Sequence, residues 1–250
     1  EFSEKISKVG TQPIIGTQIN LNILNIFGKV SLYATSEIGY KNLTKLSSKS
    51  YLKNEGITEP SCNLEDLKEN SEDLVLLTGN YKNFFGQLFY KNKLKDFEQI
   101  LNTLKNSFKD KLYIEIQRHN EHQEKSYENY LLNISKSLDI PLIATQEIFY
   151  LNENMYEAHD ALVCIGEKSF VDDKNRFRYS NQHYLKSQEE LAKLYSDIPE
   201  ALENNYNFHL RFNFKPKKSK PILPSIANKE SSSPEEELLK LAKKGLENRL

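Results

Sequence analysis

At 250 residues the chain is long enough to bury a sizeable core, either as one α/β barrel-like unit or as two small domains. Lys and Arg total 34 against 35 Asp and Glu, a formal charge of -1, so a global basic footprint for autonomous nucleic-acid binding is excluded. Two cysteines, Cys62 and Cys164, are too few for a disulfide framework and fit a reducing cytosol, and no apolar run approaches the roughly 20 residues of a membrane-spanning helix.

Glu1 to Val9 reads as the last turns of a helix with Gly10 as its C-cap, and a start without Met reads as a piece of something longer. Pro13 to Ile23 alternates with the period of a strand, and Lys29 to Ala34 forms a second. Ser36 caps a helix with Leu43 and Leu46 in its apolar stripe, where Gly39 costs about 1 kcal/mol relative to Ala. After a loop with Gly56 and Pro60 comes a short helix near Leu64 to Lys68. Leu74 to Thr78 then has the unbroken apolar character of a strand buried on both faces, ended by Gly79. Tyr81 to Tyr90 is rich in aromatics, which suit base stacking or, at helical spacing, core packing. Lys93 to Phe108 is an amphipathic helix.

Lys111 to Gly166 carries the most regular pattern, strand, helix, strand, helix. Leu112, Ile114 and Ile116 lie on one face of a strand and Tyr113, Glu115 and Gln117 on the other, with His119 following in the latter parity. A helix over Ser126 to Leu138 leads to the short strand Leu142 to Thr145, then Gln146 and Glu147, then a helix from Met155 to about Ile165. Parallel strands joined by helices place their C-terminal ends on one side of the sheet, so His119 and Glu147 arrive in the same kind of place. On spacing alone these residues suit solvated βα loops better than a site.

Beyond Gly166 the alternation stops. Asp172 and Asp173 are adjacent and point apart in an extended chain, a poor arrangement for a cation. Ser187 caps a helix to about Ser196, Pro199 starts another, and KPKKSK at Lys215 to Lys220 is a basic run that suits phosphate contact or a solvated linker. Pro221, Pro224 and Ser231 to Ser233 form an extended connector before a final helix. No phosphate-cradling glycine loop or nucleophile elbow occurs. The pair His119 and His122 lacks the Glu of a helical zinc motif, and His159, His183 and His209 read as structural histidines.

KVGTQPIIGTQ at Lys8 to Gln18, LYIEIQRH at Leu112 to His119, PLIATQEIFY at Pro141 to Tyr150 and YEAHDALVCI at Tyr156 to Ile165 occur in an order that is informative. Together they resemble the PHP (polymerase and histidinol phosphatase) domain of the bacterial replicative DNA polymerase III alpha subunit. YSDIPEALEN at Tyr195 to Asn204 and LLKLAKKGLENRL at Leu238 to Leu250 are similar to the segments leading from that domain toward the polymerase palm.

This resemblance implies an α/β fold, an incomplete and distorted (β/α) barrel of PHP type with a C-terminal helical linker. Residues 1–214 would be a partial PHP domain without its first strands, and 215–250 the linker and first helix toward the palm. The family's barrel holds metal ions at its strand ends in members that hydrolyse phosphoesters. Carried onto this sequence, the remaining metal positions are His119, which matches, and Glu147, where Asp is usual. Gln18 stands where ligand-competent members carry an acid, and Phe149 where they usually carry His. A Phe has no donor atom and a neutral Gln is a weak ligand, so the implied site is degenerate. Glu115 and Gln117 are nearby groups able to substitute. The candidate ions are divalent Mg, Mn or Zn, with no cofactor assigned to this piece and Mg expected for the parent polymerase.

The implied parent is a cytoplasmic DNA-directed DNA polymerase of chromosomal replication, truncated here at both ends. This piece would serve as a non-catalytic scaffold and docking domain. Its partners would be the remainder of the alpha chain, a proofreading exonuclease subunit and, through the parent, DNA, with no membrane. Two alternatives stay open: a metal-dependent phosphoesterase in which His119 and Glu147 hold a cation that activates water, and an interaction module with no parent polymerase. For the site, strand ends near Gln18, Thr78, His119 and Glu147 are expected on one side of a mainly parallel sheet.

Overall fold

The computed structural model describes residues 1–52, 59–218, 220–221 and 233–250. The loop read around Gly56 and most of the connector before Ser233 lie outside the described residues. The chain divides into two compact units, Glu1–Lys215 and Pro216–Leu250.

The first unit is built on a five-stranded open sheet in the order β1 (Ile15–Ile23), β2 (Ile26–Ala34), β3 (Leu74–Leu77), β4 (Leu112–Gln117) and β5 (Leu142–Thr145). Strands β1 and β2 are antiparallel, with Ile23 opposite Ile26. The two residues between them, Leu24 and Asn25, have φ of 55° and 59°. Two successive left-handed residues make the turn whose twist matches a hairpin. Strand β2 is also antiparallel to β3, whereas β3, β4 and β5 run parallel.

The sheet is therefore mixed, which corrects the mainly parallel arrangement expected from the sequence. A two-residue loop cannot make the long crossover that a parallel neighbour requires. The hairpin also carries β2 back to Ile26, three residues before its expected start at Lys29. The result is an open, mixed α/β sheet consistent with an incomplete barrel of PHP type.

Alternation in β3, β4 and β5 separates two cores. Leu76, Leu112, Ile114 and Ile116 pack with Phe97, Leu101 and Leu104 of α5 (Leu94–Phe108) and with Leu131 and Ile134 of α6 (Glu124–Leu138). On the opposite face Val75, Leu77, Tyr113 and Ile143 form a smaller cluster with Phe212, joined by Tyr33 and Phe208. Glu115 and Gln117 have the parity of Tyr113, so they belong to this second face, the one a closed barrel would enclose.

The other helices complete the frame. Helix α1 (Phe2–Lys8) buries no residue, α2 (Glu37–Leu52) sends Leu43 and Leu46 into the larger core, and α3 (Leu64–Glu69) carries a capping box between Asn63 and Asp66. A Cβ at Gly39 of α2 would lie 2.1 Å from the Asp73 carbonyl oxygen, so the glycine lets the helix touch the turn before β3. Helix α4 (Phe84–Tyr90) follows β3, α7 (Tyr156–Glu167) follows β5, and α8 (Gln188–Leu194) starts with a capping box between Ser187 and Glu190. Helix α9 (Pro199–Phe208) runs beside β5, where the Asn204 amide donates to the Leu142 carbonyl at 2.8 Å and satisfies part of that strand's edge. In the second unit, α10 (Pro234–Glu247) is capped by the Ser233 hydroxyl, with Pro234 in its first turn and Glu235, Glu236 and Glu237 complementing its N-terminus.

Candidate functional site

The loops that leave β3, β4 and β5 at their C-terminal ends meet over the second face of the sheet. Glu115 is buried there, and its carboxylate accepts from the Gly79 amide at 3.0 Å, from Gln117 Nε2 at 2.8 Å and from the Thr145 hydroxyl. Burial pushes the Glu115 carboxyl above its ordinary range, while these donors act in the opposite direction. Gln117 Oε1 accepts from Asn80 Nδ2 at 3.0 Å. The two residues named as substitute ligands are thus occupied in tying three strand ends together.

His119 is 2% exposed. Its Nε2 accepts the Glu147 backbone N–H at 3.1 Å, and its Nδ1 lies 3.3 Å from Glu124 Oε1, to which it donates. Burial lowers the His119 pKa and stacking on His183 adds to this, against the pull of Glu124, so a neutral ring matches the acceptor role of Nε2. His119 and Glu147 do come together, but the contact runs through the Glu147 peptide and not through its carboxylate. His183 completes the bridge: its ring stacks on His119 with centroids 4.1 Å apart and planes 2° apart, and Nδ1 donates to the Glu147 carbonyl at 3.0 Å.

Glu124 is the organising anion. It is the first residue of α6, two positions before the start expected from the sequence, and its carboxylate turns back over the preceding loop. It accepts the His119 amide at 3.0 and 2.8 Å, the Glu121 amide at 3.1 Å and the His119 ring. Burial by itself would raise the Glu124 carboxyl, but the His119 ring and the two amides outweigh it and leave it below its ordinary value.

Of two further expected positions, Phe149 packs against this bridge without a donor atom and Gln18 stands apart from it. Phe149 stacks on His159 with centroids 5.2 Å apart and contacts His183 at 5.0 Å and Tyr179 at 4.5 Å, an aromatic wall with no donor atom. Gln18 is exposed near the middle of β1, opposite Ser31. Ser31 is opposite Leu77 and Leu77 opposite Tyr113, so Gln18 lies on a row six residues before His119. The hairpin causes this displacement, because β1 does not end until Ile23.

A cation is already present among the carboxylates. Lys82, in the loop after β3, places its ammonium 3.0 Å from both Glu121 oxygens. Rings of Tyr81, Phe177 and Tyr179 lie 5.2, 5.7 and 5.1 Å from it. Burial lowers its pKa, opposed by Glu147 and Glu124. Arg118 fastens the outer side: its guanidinium pairs with Glu128 and Asp197, donates to the Leu194 carbonyl at 2.6 Å and packs over the Tyr195 ring. The buried Tyr195 hydroxyl reaches the carbonyls of Ile116 and Thr145 at 3.4 and 3.2 Å.

These residues do not fit a resident metal ion. Both His119 nitrogens are engaged, Glu115 accepts three hydrogen bonds and Glu124 four, Phe149 offers no ligand, and Gln18 lies on another row of the sheet. Among the described residues no group of three or more His, Cys, Asp or Glu is arranged to hold one. Sequence reading missed Glu124, His183 and Lys82. The one local signal was an acidic residue at the very start of a helix, which names Glu124 only once the helix boundary is known.

The family model of the PHP domain matches residues 1–119. Over that stretch the chain matches the PHP domain family. Strand β4 and His119 close the matched stretch, and Glu147 and Phe149 lie beyond it. Relatives extend over the whole chain. DNA polymerase III subunit alpha of Caulobacter vibrioides is 35% identical over 260 residues, covering 100% of this chain and 23% of that protein. The subunit of Rickettsia bellii is 35% identical over 252 residues, and that of Vibrio cholerae 31% over 255, each covering 100% of this chain. The chain spans only 21 to 23% of the length of these relatives.

Proposed function

We propose that this chain is a non-catalytic PHP scaffold within a DNA polymerase III alpha subunit, with a degenerate metal site at the ends of β3, β4 and β5. The observation that carries this reading is the state of His119, whose two nitrogens serve hydrogen bonds to Glu124 and from Glu147 and join the loops that follow β4 and β5. Metal-assisted hydrolysis needs several anionic or imidazole ligands with free lone pairs to hold the ions and acidify a bound water. The whole-chain likeness to alpha subunits supplies the context. In that context residues 1–214 form the PHP part and 215–250 lead toward the polymerase palm. The parent is a cytoplasmic DNA-directed DNA polymerase using Mg. Its further partners are a proofreading exonuclease subunit and DNA.

The test uses the full-length protein purified without chelators. Bound metal is counted and hydrolysis of a generic phosphodiester and of a primer end is measured, beside His119→Ala. The expected result is that His119→Ala removes no metal and changes no chelator-sensitive hydrolysis. Stoichiometric metal with chelator-sensitive hydrolysis, both abolished by His119→Ala, would overturn the scaffold reading in favour of a phosphoesterase.

A further inference from the structure

We propose that the Lys82 ammonium is the built-in cation of this site, taking the place of a divalent metal ion. This deepens the scaffold reading and rests on it. Lys82 leaves the C-terminal end of β3, beside the β4 end that delivers His119. Its backbone is fixed: the Lys82 amide donates to Asn80 Oδ1 at 2.9 Å, and Asn80 is itself tied to Gln117. The ammonium meets both oxygens of Glu121, the carboxylate that His183 Nε2 approaches at 3.4 Å. One positive charge therefore links the β3 loop, the β4 loop and the segment that carries His183.

The surroundings suit an ammonium and not a hydrated metal. Three ring faces, from Tyr81 on one loop and Phe177 and Tyr179 on another, surround Lys82 at cation–π distance. Ring faces attract an organic cation but provide none of the oxygen or nitrogen donors that Mg, Mn or Zn requires. The Glu121 side chain is 14% exposed, so without Lys82 it would be a nearly buried carboxylate lacking its counter-charge.

The test is hydrogen exchange in the full-length protein on peptides covering residues 119–124 and 146–150, after chelation and again with millimolar Mn2+. Lys82→Met is expected to speed exchange in 119–124 about ten-fold, the scale of losing one paired, part-buried charge. Lys82→Arg should stay close to the parent. Adding Glu121→Gln to Lys82→Met should recover protection by removing the stranded carboxylate, which a purely packing role would not do. Mn2+ should change neither Lys82→Met nor the parent, because three rings and one carboxylate offer no ligand set for it. A Lys82→Met protein that exchanges like the parent, or whose loosening Glu121→Gln does not relieve, overturns the lysine assignment alone. Mn2+ protection of the parent, lost in His119→Ala, overturns the scaffold reading with it.

Discussion

Replacing His119 by alanine removes a donor and an acceptor at once. The Nδ1–H bond to the Glu124 carboxylate is charge-assisted, a class contributing roughly 1.5–3 kcal/mol, and a stranded Glu147 amide costs a further ~1–3 kcal/mol. The two share one ring and are not additive, so a loss of about 3 kcal/mol is expected, over 100-fold in the local opening equilibrium. Two further variants divide it. His119→Gln can keep an acceptor for the Glu147 amide, and His119→Asn can keep a donor for Glu124, so each should lose about half as much. The assay is amide exchange at His119, Glu121 and Glu147, with Glu147 protected in the Gln variant and exposed in the Asn variant. Equal behaviour of all three variants, or parental protection that collapses on chelation, would refute the hydrogen-bond role.

Four other outcomes can be checked. Acidification should loosen the same loops. His119 has a folded pKa below 6.5 and Glu124 one below 4.5, so the unfolded state binds protons first and stability falls as pH drops below 6.5 and again below 4.5. Exchange of 119–124 against pH should show the first step shrink in His119→Gln. Gly39→Ala, which helix propensity favours by about 1 kcal/mol, should instead destabilise by ~2 kcal/mol or more in a thermal melt, because the added Cβ meets the Asp73 carbonyl. Arg118→Lys should cost ~1–2 kcal/mol by the same measure, since lysine lacks the fork that joins Glu128 and Asp197, and the exposure of Asp197 at 62% holds the figure down. The triple variant Gln18→Glu, Glu147→Asp, Phe149→His should acquire no stoichiometric metal by elemental analysis, because residue 18 remains on the row of Tyr113; one bound ion per chain would contradict the register argument.

Local chemistry was legible in the chain itself. Alternation fixed which side chains of Leu112 to Gln117 face the helices, capping residues marked Ser187 and Ser233, and the order of strand and helix brought His119 and Glu147 to one edge. These are properties of neighbours in sequence, governed by periods of two and 3.6 residues and by unpaired amides at helix ends. Tertiary structure decided the rest. A Leu24–Asn25 turn without glycine gave no hairpin signal, yet it reversed β2 and moved Gln18 away from the site. His183 looked like an ordinary structural histidine, and only folding stacks it on a ring 64 residues earlier. Lys82 and Glu121 lie 39 residues apart and meet because parallel strands deliver their following loops to one edge. Sequence names the groups that can bond, but which bonds form depends on register and on backbone peptides such as that of Glu147, whose N–H and C=O are common to nearly every residue and carry no compositional mark.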